Sequence, residues 1–426
     1  MRLIKGISKK IFSIILCMVI AVFIAFLLIC TSYILPIDRI EKNVASSARY
    51  IQKEGSYPGL AWWTTQLDNV TDSAMLLVAA NDTEESLIVE AMSSHLGGIN
   101  DADLAVTIVK HYIDGQEFDR IGSYSRYWHG YVVVLRPLLM LTDYLGIRII
   151  NGIIQLFLIY YICRLLFLKG RKEYISSILV SYGMLMPLAL ALSLQFSPCF
   201  YIATIASIFI LIIGTEKIDR YGYLIFLIIG AMTSFFDFLT YPIVTLGVPM
   251  LFYFAIKDSS CGIKHVRIVV EDSICWGVGY IGMWSSKWIF ATAITEKNVI
   301  KDAADTFLYR TSQYQSQSIE ISRISCELRN YGAFFKTPVT MVLVVIVVYL
   351  LINIIRACDN NIIGILKIMF PYFMIAMMPF AWYAFALQHS YAHFWFTNKA
   401  CVVSIMAIMF GLHDVLRSIT NVKEQE

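Results

Sequence analysis

The chain has 426 residues, of which 58% are hydrophobic and only 15% are charged, against about 25% charged residues in soluble domains. This composition excludes an ordinary soluble protein and predicts an all-α, polytopic integral membrane protein. The formal net charge of +3 comes with no basic stripe interleaved with aromatic residues, so we exclude a nucleic-acid partner. The cysteines have no metal-ligand spacing and predict neither a metal cluster nor a disulfide framework.

The N-terminal segment predicts a membrane anchor. Basic residues within 1–10 precede an apolar run over 11–35 without a small-x-small cleavage site, so we expect an uncleaved anchor whose N-terminus lies in the cytoplasm. Further apolar runs of spanning length lie near 149–168, 174–195, 198–215, 266–288, 338–356, 364–387 and 400–418.

The stretch 221–256 decides the number of spans. It is too long for one comfortable span and is interrupted by Asp237, Pro242 and Pro249, so we predict two short helices here and about ten spans in all. Lys and Arg in the short loops then place both termini in the cytoplasm of a multi-pass plasma-membrane protein. One long helix over 221–256 would instead move everything after it to the other side.

Two segments are longer than simple connections, and we expect both outside the cytoplasm. The first should be helical and lie on the membrane, with an interfacial or re-entrant stretch at 131–145. The expected caps are Asp72 before a helix beginning at Ser73, Asn81 and Asp82 ahead of Glu84 and Glu85, and Asn100 before a helix ending near Gly115. The chain thus forms one membrane domain: the anchor at 11–35, a first outer loop at 36–148, membrane helices at 149–288, a second outer loop at 289–337 and membrane helices at 338–418.

A pair of carboxylates in the first outer loop is the first candidate for chemistry. Asp68 and Asp72 are four residues apart and follow the aromatic stretch Ala61-Trp62-Trp63. In a helical turn this spacing puts both side chains on one face, where they could act as general base and partner or share a divalent cation. The alternative is a solvated turn with an N-cap.

Cationic residues follow in the same loop. His129 lies in the aromatic stretch 124–131, and Arg136 and Arg148 come after it in mostly apolar sequence. Such residues are typical ligands of anions, whereas the alternative is an interfacial aromatic belt. The sequence therefore predicts substrate-binding roles for His129, Arg136 and Arg148.

Asp237 interrupts apolar sequence in the middle of the chain. An ionisable residue inside a membrane is costly and usually functional, so we interpret Asp237 as a substrate-binding residue with a partner among Lys287, Arg136 and Arg148. The alternative is a hairpin tip at the surface.

A polar segment at 388–399 lies between two long apolar runs near the C-terminus. His389 and His393 have the spacing that suits a metal on a helix, but no acidic third ligand lies nearby and there is no HExxH pattern. We therefore favour phosphate or sugar recognition by His389, His393 and Lys399. The alternative is interfacial packing, and no cofactor is assigned.

The layout resembles the GT-C class of integral membrane glycosyltransferases, such as the protein mannosyltransferases and the lipid A aminoarabinose transferases. Both have a cytoplasmic N-terminus, one span, a large first outer loop with acidic residues, and then many spans. The resemblance implies that an acid of that loop is the catalytic base and that a polyprenyl-phosphate-linked sugar is the donor. We assign Asp68 and Asp72 to this role, although the class shows its acid soon after the first span, where this chain has Asp38 and Glu41.

The resemblance also implies the partners: a glycan, lipid or protein acceptor at the cell envelope, and membrane lipids around the helices. Two other functions stay open. A multi-pass transporter or flippase would use broken helices near the middle of the membrane. A polysaccharide polymerase or ligase of the envelope would share the cationic residues but depend less on a loop carboxylate.

Overall fold

The computed structural model describes residues 2–61, 65–81, 83, 85–257, 262–316, 319–357 and 362–423. Most of these residues are helical. The first helices are α1 (Arg2–Tyr33), α2 (Ile37–Glu54), α3 (Asn69–Ala80), α4 (Leu87–Ser93), α5 (Leu104–Tyr112), α6 (Val132–Leu141) and α7 (Tyr144–Leu168). The next are α8 (Ile175–Met184), α9 (Pro187–Leu192), α10 (Ser197–Ile213), α11 (Thr215–Phe236), α12 (Val244–Ile256), α13 (Gly262–Thr295) and α14 (Val299–Thr311). The last are α15 (Arg323–Phe334), α16 (Val339–Ala357), α17 (Ile362–Ala376), α18 (Met378–Phe385), α19 (Leu387–Ala392), α20 (Phe394–Thr397) and α21 (Val402–Lys423).

Two small antiparallel sheets make the fold nearly, rather than purely, all-α. One pairs β1 (His95–Gly98) with β2 (Arg120–Ser123), and the other pairs β3 (Tyr314–Ser316) with β4 (Ile319–Glu320). The sequence analysis did not predict these strands, which are too short to show a periodic pattern.

Among the described residues, six helices are long and apolar enough to cross a membrane, which supports the membrane class, while the predicted count of about ten spans stays a prediction. They are Lys9–Tyr33, Tyr144–Leu168, Thr215–Phe236, Val339–Ala357, Ile362–Phe385 and Phe394–Thr420. The stretch 221–256 falls in two helices, α11 and α12, as predicted. The break between them lies at 237–243, where Asp237 and Pro242 stand.

Helices α2, α3, α5 and α6 form a layer with its own apolar core. In α2, the buried residues Ile40, Val44, Ala48 and Ile51 recur at helical spacing, so one face of an otherwise polar helix can pack. They pack with apolar residues of α3 and α6. Helix α3 is buried over most of its length, because this layer covers one side of it and the larger helix bundle the other.

The N-terminal caps in this layer differ from those predicted. Helix α3 begins at Asn69 because Asp68, not Asp72, is its cap: Asp68 Oδ1 accepts the Thr71 N–H at 2.9 Å. Helix α5 begins after Asp103, which caps it, and not after Asn100. Asn81 lies at the C-terminal end of α3, so the predicted capping box is wrong there, and its residues Asp82 and Glu84 lie outside the described residues.

Contacts between helix ends distinguish two ends of the bundle. At one, which we call the loop end, α3 meets the connection between α9 and α10, and α19 meets the connection between α11 and α12. At the other, the basic end, Tyr174 donates a hydrogen bond to Asp414 and Lys257 pairs with Asp219. The helix ends and connections at the basic end carry Lys9, Lys10, Arg164, Lys169, Arg171, Lys172, Lys217, Arg220, Lys257, Lys264, Arg267 and Arg417.

Candidate functional site

Asp72 is fully buried and has a complete set of hydrogen-bond donors. Its Oδ2 accepts from the Tyr144 hydroxyl at 2.5 Å and from the Leu194 N–H at 2.9 Å. Its Oδ1 accepts from the Gln195 N–H at 2.9 Å and from the Ser193 hydroxyl at 3.2 Å. A carboxylate accepts about four hydrogen bonds, so no lone pair is left for a substrate proton or a cation.

Arg148 lies beside Asp72, and both of its terminal nitrogens are engaged, while its buried Nε has no partner among the described residues. Its guanidinium forms a two-pronged ion pair with Glu54, at 2.6 and 2.9 Å, and donates to the Tyr144 hydroxyl at 2.8 Å. It also donates to Asn69 Oδ1 at 3.3 Å. We call Glu54, Asn69, Asp72, Tyr144 and Arg148 the paired cluster, because Arg148 is paired with Glu54 and the carboxylate of Asp72 accepts four hydrogen bonds. The paired cluster connects α2 and α3 to α7. The hydrogen bonds of Asp72 and Arg148 explain why these charged residues are buried here, without a ligand.

Asp68 has a different environment. While Oδ1 caps α3, Oδ2 has a long contact with Trp395 Nε1 at 3.4 Å, and the Thr71 side chain and the Val70 N–H also favour the charged form of this carboxylate. Burial raises the pKa of Asp68 above the ordinary value of an aspartate. The structure thus separates the predicted pair, because Oδ2 of Asp68 can accept a further proton donor and Asp72 cannot. The aromatic residues Trp62 and Trp63 lie outside the described residues.

His389 lies in α19 with both ring nitrogens in use. Nε2 is 2.7 Å from the Leu239 carbonyl, so it carries the proton, and Nδ1 faces Nη1 of Arg310 at 3.4 Å as the acceptor. Burial, with Arg310 as a smaller cause, lowers the pKa of His389 well below its ordinary value. Because Nε2 carries the proton and Nδ1 faces Arg310, neither nitrogen offers a lone pair to a metal ion here.

His393 comes one turn later and has an open nitrogen. Its ring lies 4.8 Å from the ring of His389 and 5.2 Å from that of Trp395, measured between centroids. Within the described part of the chain, its buried Nδ1 has no hydrogen-bond partner. Burial, reinforced by the charge of Arg310, lowers the pKa of His393 to about 4.

Arg310, in α14, is the residue that the sequence analysis missed. Its guanidinium is half-buried, 3.4 Å from His389 Nδ1 and 5.8 Å from the ring centre of Tyr127. No carboxylate pairs with Arg310 among the residues that the structure describes. We call Asp68, Arg310, His389, His393 and Trp395 the open cluster, since it contains a cation and a ring nitrogen for which the described residues supply no counter-ion and no partner.

A further donor faces the same region. The indole N–H of Trp284 in α13 is buried and has no partner in the described part of the molecule, and its ring lies 6.1 Å from that of Tyr127. An unpaired buried donor costs about 1–3 kcal/mol. An unpaired donor on a ring near Tyr127, which Arg310 also contacts, favours a ligand that brings acceptor oxygens.

His129 and Arg136 have structural partners. Both ring nitrogens of His129 are engaged, Nε2 with the Tyr124 carbonyl at 2.8 Å and Nδ1 with the Tyr131 hydroxyl at 3.1 Å. Arg136 donates to the Ala79 carbonyl at 2.8 Å, where a cation stabilises the C-terminal end of α3. Neither residue contacts the open cluster through a described hydrogen bond, so their predicted role as anion ligands has no support in the geometry.

Asp237, Lys287 and Lys399 lie at separate places. Asp237 accepts the Thr240 N–H at 2.9 Å and also the Thr240 hydroxyl, and no described salt bridge joins it to a predicted partner. Lys287 donates instead to the Met92 carbonyl at 3.0 Å. Lys399 is buried, with its ammonium 4.8 Å from the ring centre of Phe196.

One group of side chains is close enough to share a metal ion. Glu85, Glu90 and His95 bring ligand atoms within 4.8 Å of one another. Each nitrogen of His95 faces a different carboxylate, Nδ1 that of Glu90 at 3.0 Å and Nε2 that of Glu85 at 3.6 Å. These contacts are satisfied without an ion, so we assign no metal there.

No family model, curated protein or solved structure matches this chain. The resemblance to the GT-C class therefore rests on layout. The function has to be argued from the open cluster.

Proposed function

We propose that this protein is a membrane glycosyltransferase of GT-C type that transfers a sugar from a polyprenyl-phosphate-linked donor to an envelope glycan, lipid or protein acceptor. The observation that supports it most is the half-buried guanidinium of Arg310, which has no carboxylate partner in the described residues. A charge in a low-dielectric site is costly unless it is paired. A phosphate supplies that charge, and its geometry matches the guanidinium fork.

The open cluster also contains a group that can move a proton. The acceptor hydroxyl attacks the anomeric carbon of the sugar, the bond from that carbon to the phosphate oxygen breaks, and polyprenyl phosphate leaves with the bonding electrons. Asp68 takes the hydroxyl proton on Oδ2, and Arg310 stabilises the charge on the departing phosphate. The raised pKa of Asp68 makes it a stronger base than an exposed aspartate.

We propose ten crossings, with both termini in the cytoplasm. Beyond the six long apolar helices, α10, α12, α13 and the broken pair α8–α9 would also cross. Side chains of these helices contribute to one large apolar core, and short helices are tolerated in a membrane where protein surrounds them. Basic residues mark the cytoplasmic side of membrane proteins, so the basic end would face the cytoplasm and the open cluster the outer face.

Binding of the lipid phosphate tests the role of Arg310. Purified protein in nanodiscs is titrated with a long-chain polyprenyl monophosphate and with the matching polyprenol. We expect a preference for the phosphate of about tenfold or more, which Arg310→Gln abolishes. The control is Arg323→Gln at the exposed first residue of α15, which removes the same charge and should keep the preference. Equal binding of both lipids by the wild type would overturn the phosphate site.

The glycan profile of host cells tests the role of Asp68. Asp68→Asn keeps an N-cap, because Asn caps as well as Asp, but removes the base, so we expect the modification to fall about 100-fold or more. Asp103→Asn is the matched control, since Asp103 caps α5 in the same way. If even deletion of the gene changes no glycan, the transferase proposal fails and the transporter replaces it.

A further inference from the structure

Helix α15 lies against α19 and α20 in a fixed position. Asn330 donates to the Ser390 carbonyl at 3.0 Å and accepts from the Thr397 hydroxyl at 2.7 Å. The outer side of α15 borders a half-open cleft of about 270 Å³. Its lining consists of Leu328, Arg329, Gly332, Ala333, Lys336 and Phe394.

Two cations line this cleft. The guanidinium of Arg329 lies between two aromatic rings, 4.4 Å from the centre of Tyr391 and 4.2 Å from that of Phe394. Lys336 is exposed in the turn that follows α15. No salt bridge involves Arg329 or Lys336 in the described ranges. The rings hold Arg329 in place without neutralising it, so the cleft has two positive charges and no described counter-ion.

The position of the cleft fixes the depth at which a ligand would lie. Lys336 comes three residues before α16, one of the helices apolar enough to cross a membrane. Leu328 at the edge of the cleft is 68% exposed, and Met341 and Val345 of α16 are 74% and 67% exposed. The cations therefore stand where an apolar surface begins, which is the level of lipid head groups.

We propose that this cleft binds the head group of an anionic phospholipid from the surrounding bilayer. Arg329 and Lys336 contact the phosphate, and the acyl chains lie along Leu328 and the exposed face of α16. A bilayer phospholipid fits better than a soluble anion, because exposed apolar side chains lie next to the cations. Acyl chains can cover these side chains, and a soluble anion cannot. The inference goes beyond the proposed transferase function and depends only on the protein lying in a membrane.

Native mass spectrometry of the full chain in detergent tests the proposal. The protein is titrated with phosphatidylglycerol and with phosphatidylcholine of the same acyl chains. We expect the wild type to bind phosphatidylglycerol about tenfold more tightly, and Arg329→Gln/Lys336→Gln to lose this preference. The control is Lys301→Gln/Arg323→Gln, which removes two exposed charges outside the cleft and should keep it.

A second variant tests the cleft without changing charge. A Cβ added at Gly332, which lines the cleft, would meet no atom within 4 Å, so the larger side chain of Gly332→Leu can enter the cleft and should also remove the preference. The proposal is overturned if both cleft variants, with unchanged thermal midpoints, bind phosphatidylglycerol like the wild type. It is also overturned if inorganic phosphate or a polyprenyl monophosphate occupies the cleft more tightly than phosphatidylglycerol. Lipid binding is measured without any transferase activity, so its failure leaves the proposed function untouched.

Discussion

The paired cluster and the open cluster stand close together at the loop end, and both contain an arginine, an aspartate and aromatic rings. In the paired cluster, Arg148 meets Glu54 in two hydrogen bonds and Asp72 accepts four. In the open cluster, Arg310 faces a neutral imidazole, and Oδ2 of Asp68 has a long contact with Trp395. The residue types are alike, but only in the paired cluster does the arginine face a carboxylate and the aspartate accept a full set of hydrogen bonds.

We interpret this difference as one between residues that stabilise the fold and residues that, under the proposed function, bind a ligand. A buried hydrogen-bond network in which every group has a partner stabilises the folded protein. An incomplete one lowers stability, and such a defect is typical of functional sites. Substitutions of matched residues in the two clusters should therefore act in opposite ways.

Arg148→Gln should have the largest effect on stability. It removes hydrogen bonds to Glu54, Asn69 and Tyr144; because the Glu54 side chain is 31% exposed and water replaces part of that contact, we expect the free energy of unfolding to fall by about 3 kcal/mol. Denaturant titration of the purified protein in detergent measures it. Arg126→Gln is the control, since its ion pair with Asp302 is exposed and worth about 0–1 kcal/mol. Equal losses in both variants would contradict a structural role for the paired cluster.

Asp72→Asn should be the next most severe. An amide offers one acceptor oxygen where the Leu194 and Gln195 N–H groups need two, so one backbone donor is left buried and unpaired, and we expect a loss of about 2–3 kcal/mol. Asp68→Asn is the comparison, because it keeps the cap of α3 and should cost about 0.5 kcal/mol or less. Thermal midpoints of the two variants measured side by side would show the contrast, and a reversed order would mean that the two aspartates have been assigned the wrong roles.

The sequence predicted the class of the protein better than its site. Apolar runs report membrane helices directly, and the interruption at Asp237 and Pro242 marked the break between α11 and α12. The caps in the first loop were harder, because Asp68, Asp72, Asn100 and Asp103 are all acceptable caps by type. Only the packing of α3 and α5 decides which of these residues precedes the first turn of each helix and accepts one of its N–H groups.

The open cluster could be predicted only in part. Asp68, His389 and His393 stand out as polar residues next to apolar runs. Arg310 does not, because it lies in an ordinary polar helix of the second long loop. Its place in the cluster is evident only from its contact with His389 of α19, 79 residues later. Arg148 shows the opposite case, since a cation in apolar sequence resembles an anion ligand until its partner 94 residues earlier is known.

The open cluster should also make stability depend on pH. Burial, with Arg310 as the smaller cause, lowers the folded-state pKa of His393 to about 4, below about 6.5 in the unfolded chain. The unfolded chain then binds the proton more readily, so the stabilising contribution is complete above pH 6.5 and is lost as the pH falls towards 4, by about 2 kcal/mol. Unfolding free energies at pH 7 and pH 4.5 should differ less in His393→Gln than in the wild type. An unchanged difference would place His393 in contact with water.

Arg310→Gln should have the smallest effect on stability. The sign of the change in the free energy of unfolding distinguishes Arg310 from Arg148. The substitution removes a half-buried cation that has no described carboxylate partner, and the lost contacts with His389 and Tyr127 offset part of the gain. We therefore expect the free energy of unfolding to stay within about 0.5 kcal/mol of the wild type or to rise. The same denaturant titration measures it beside Arg148→Gln. A loss comparable to that of Arg148→Gln would mean that Arg310 holds the fold, and the guanidinium would no longer count as a site kept open for a phosphate.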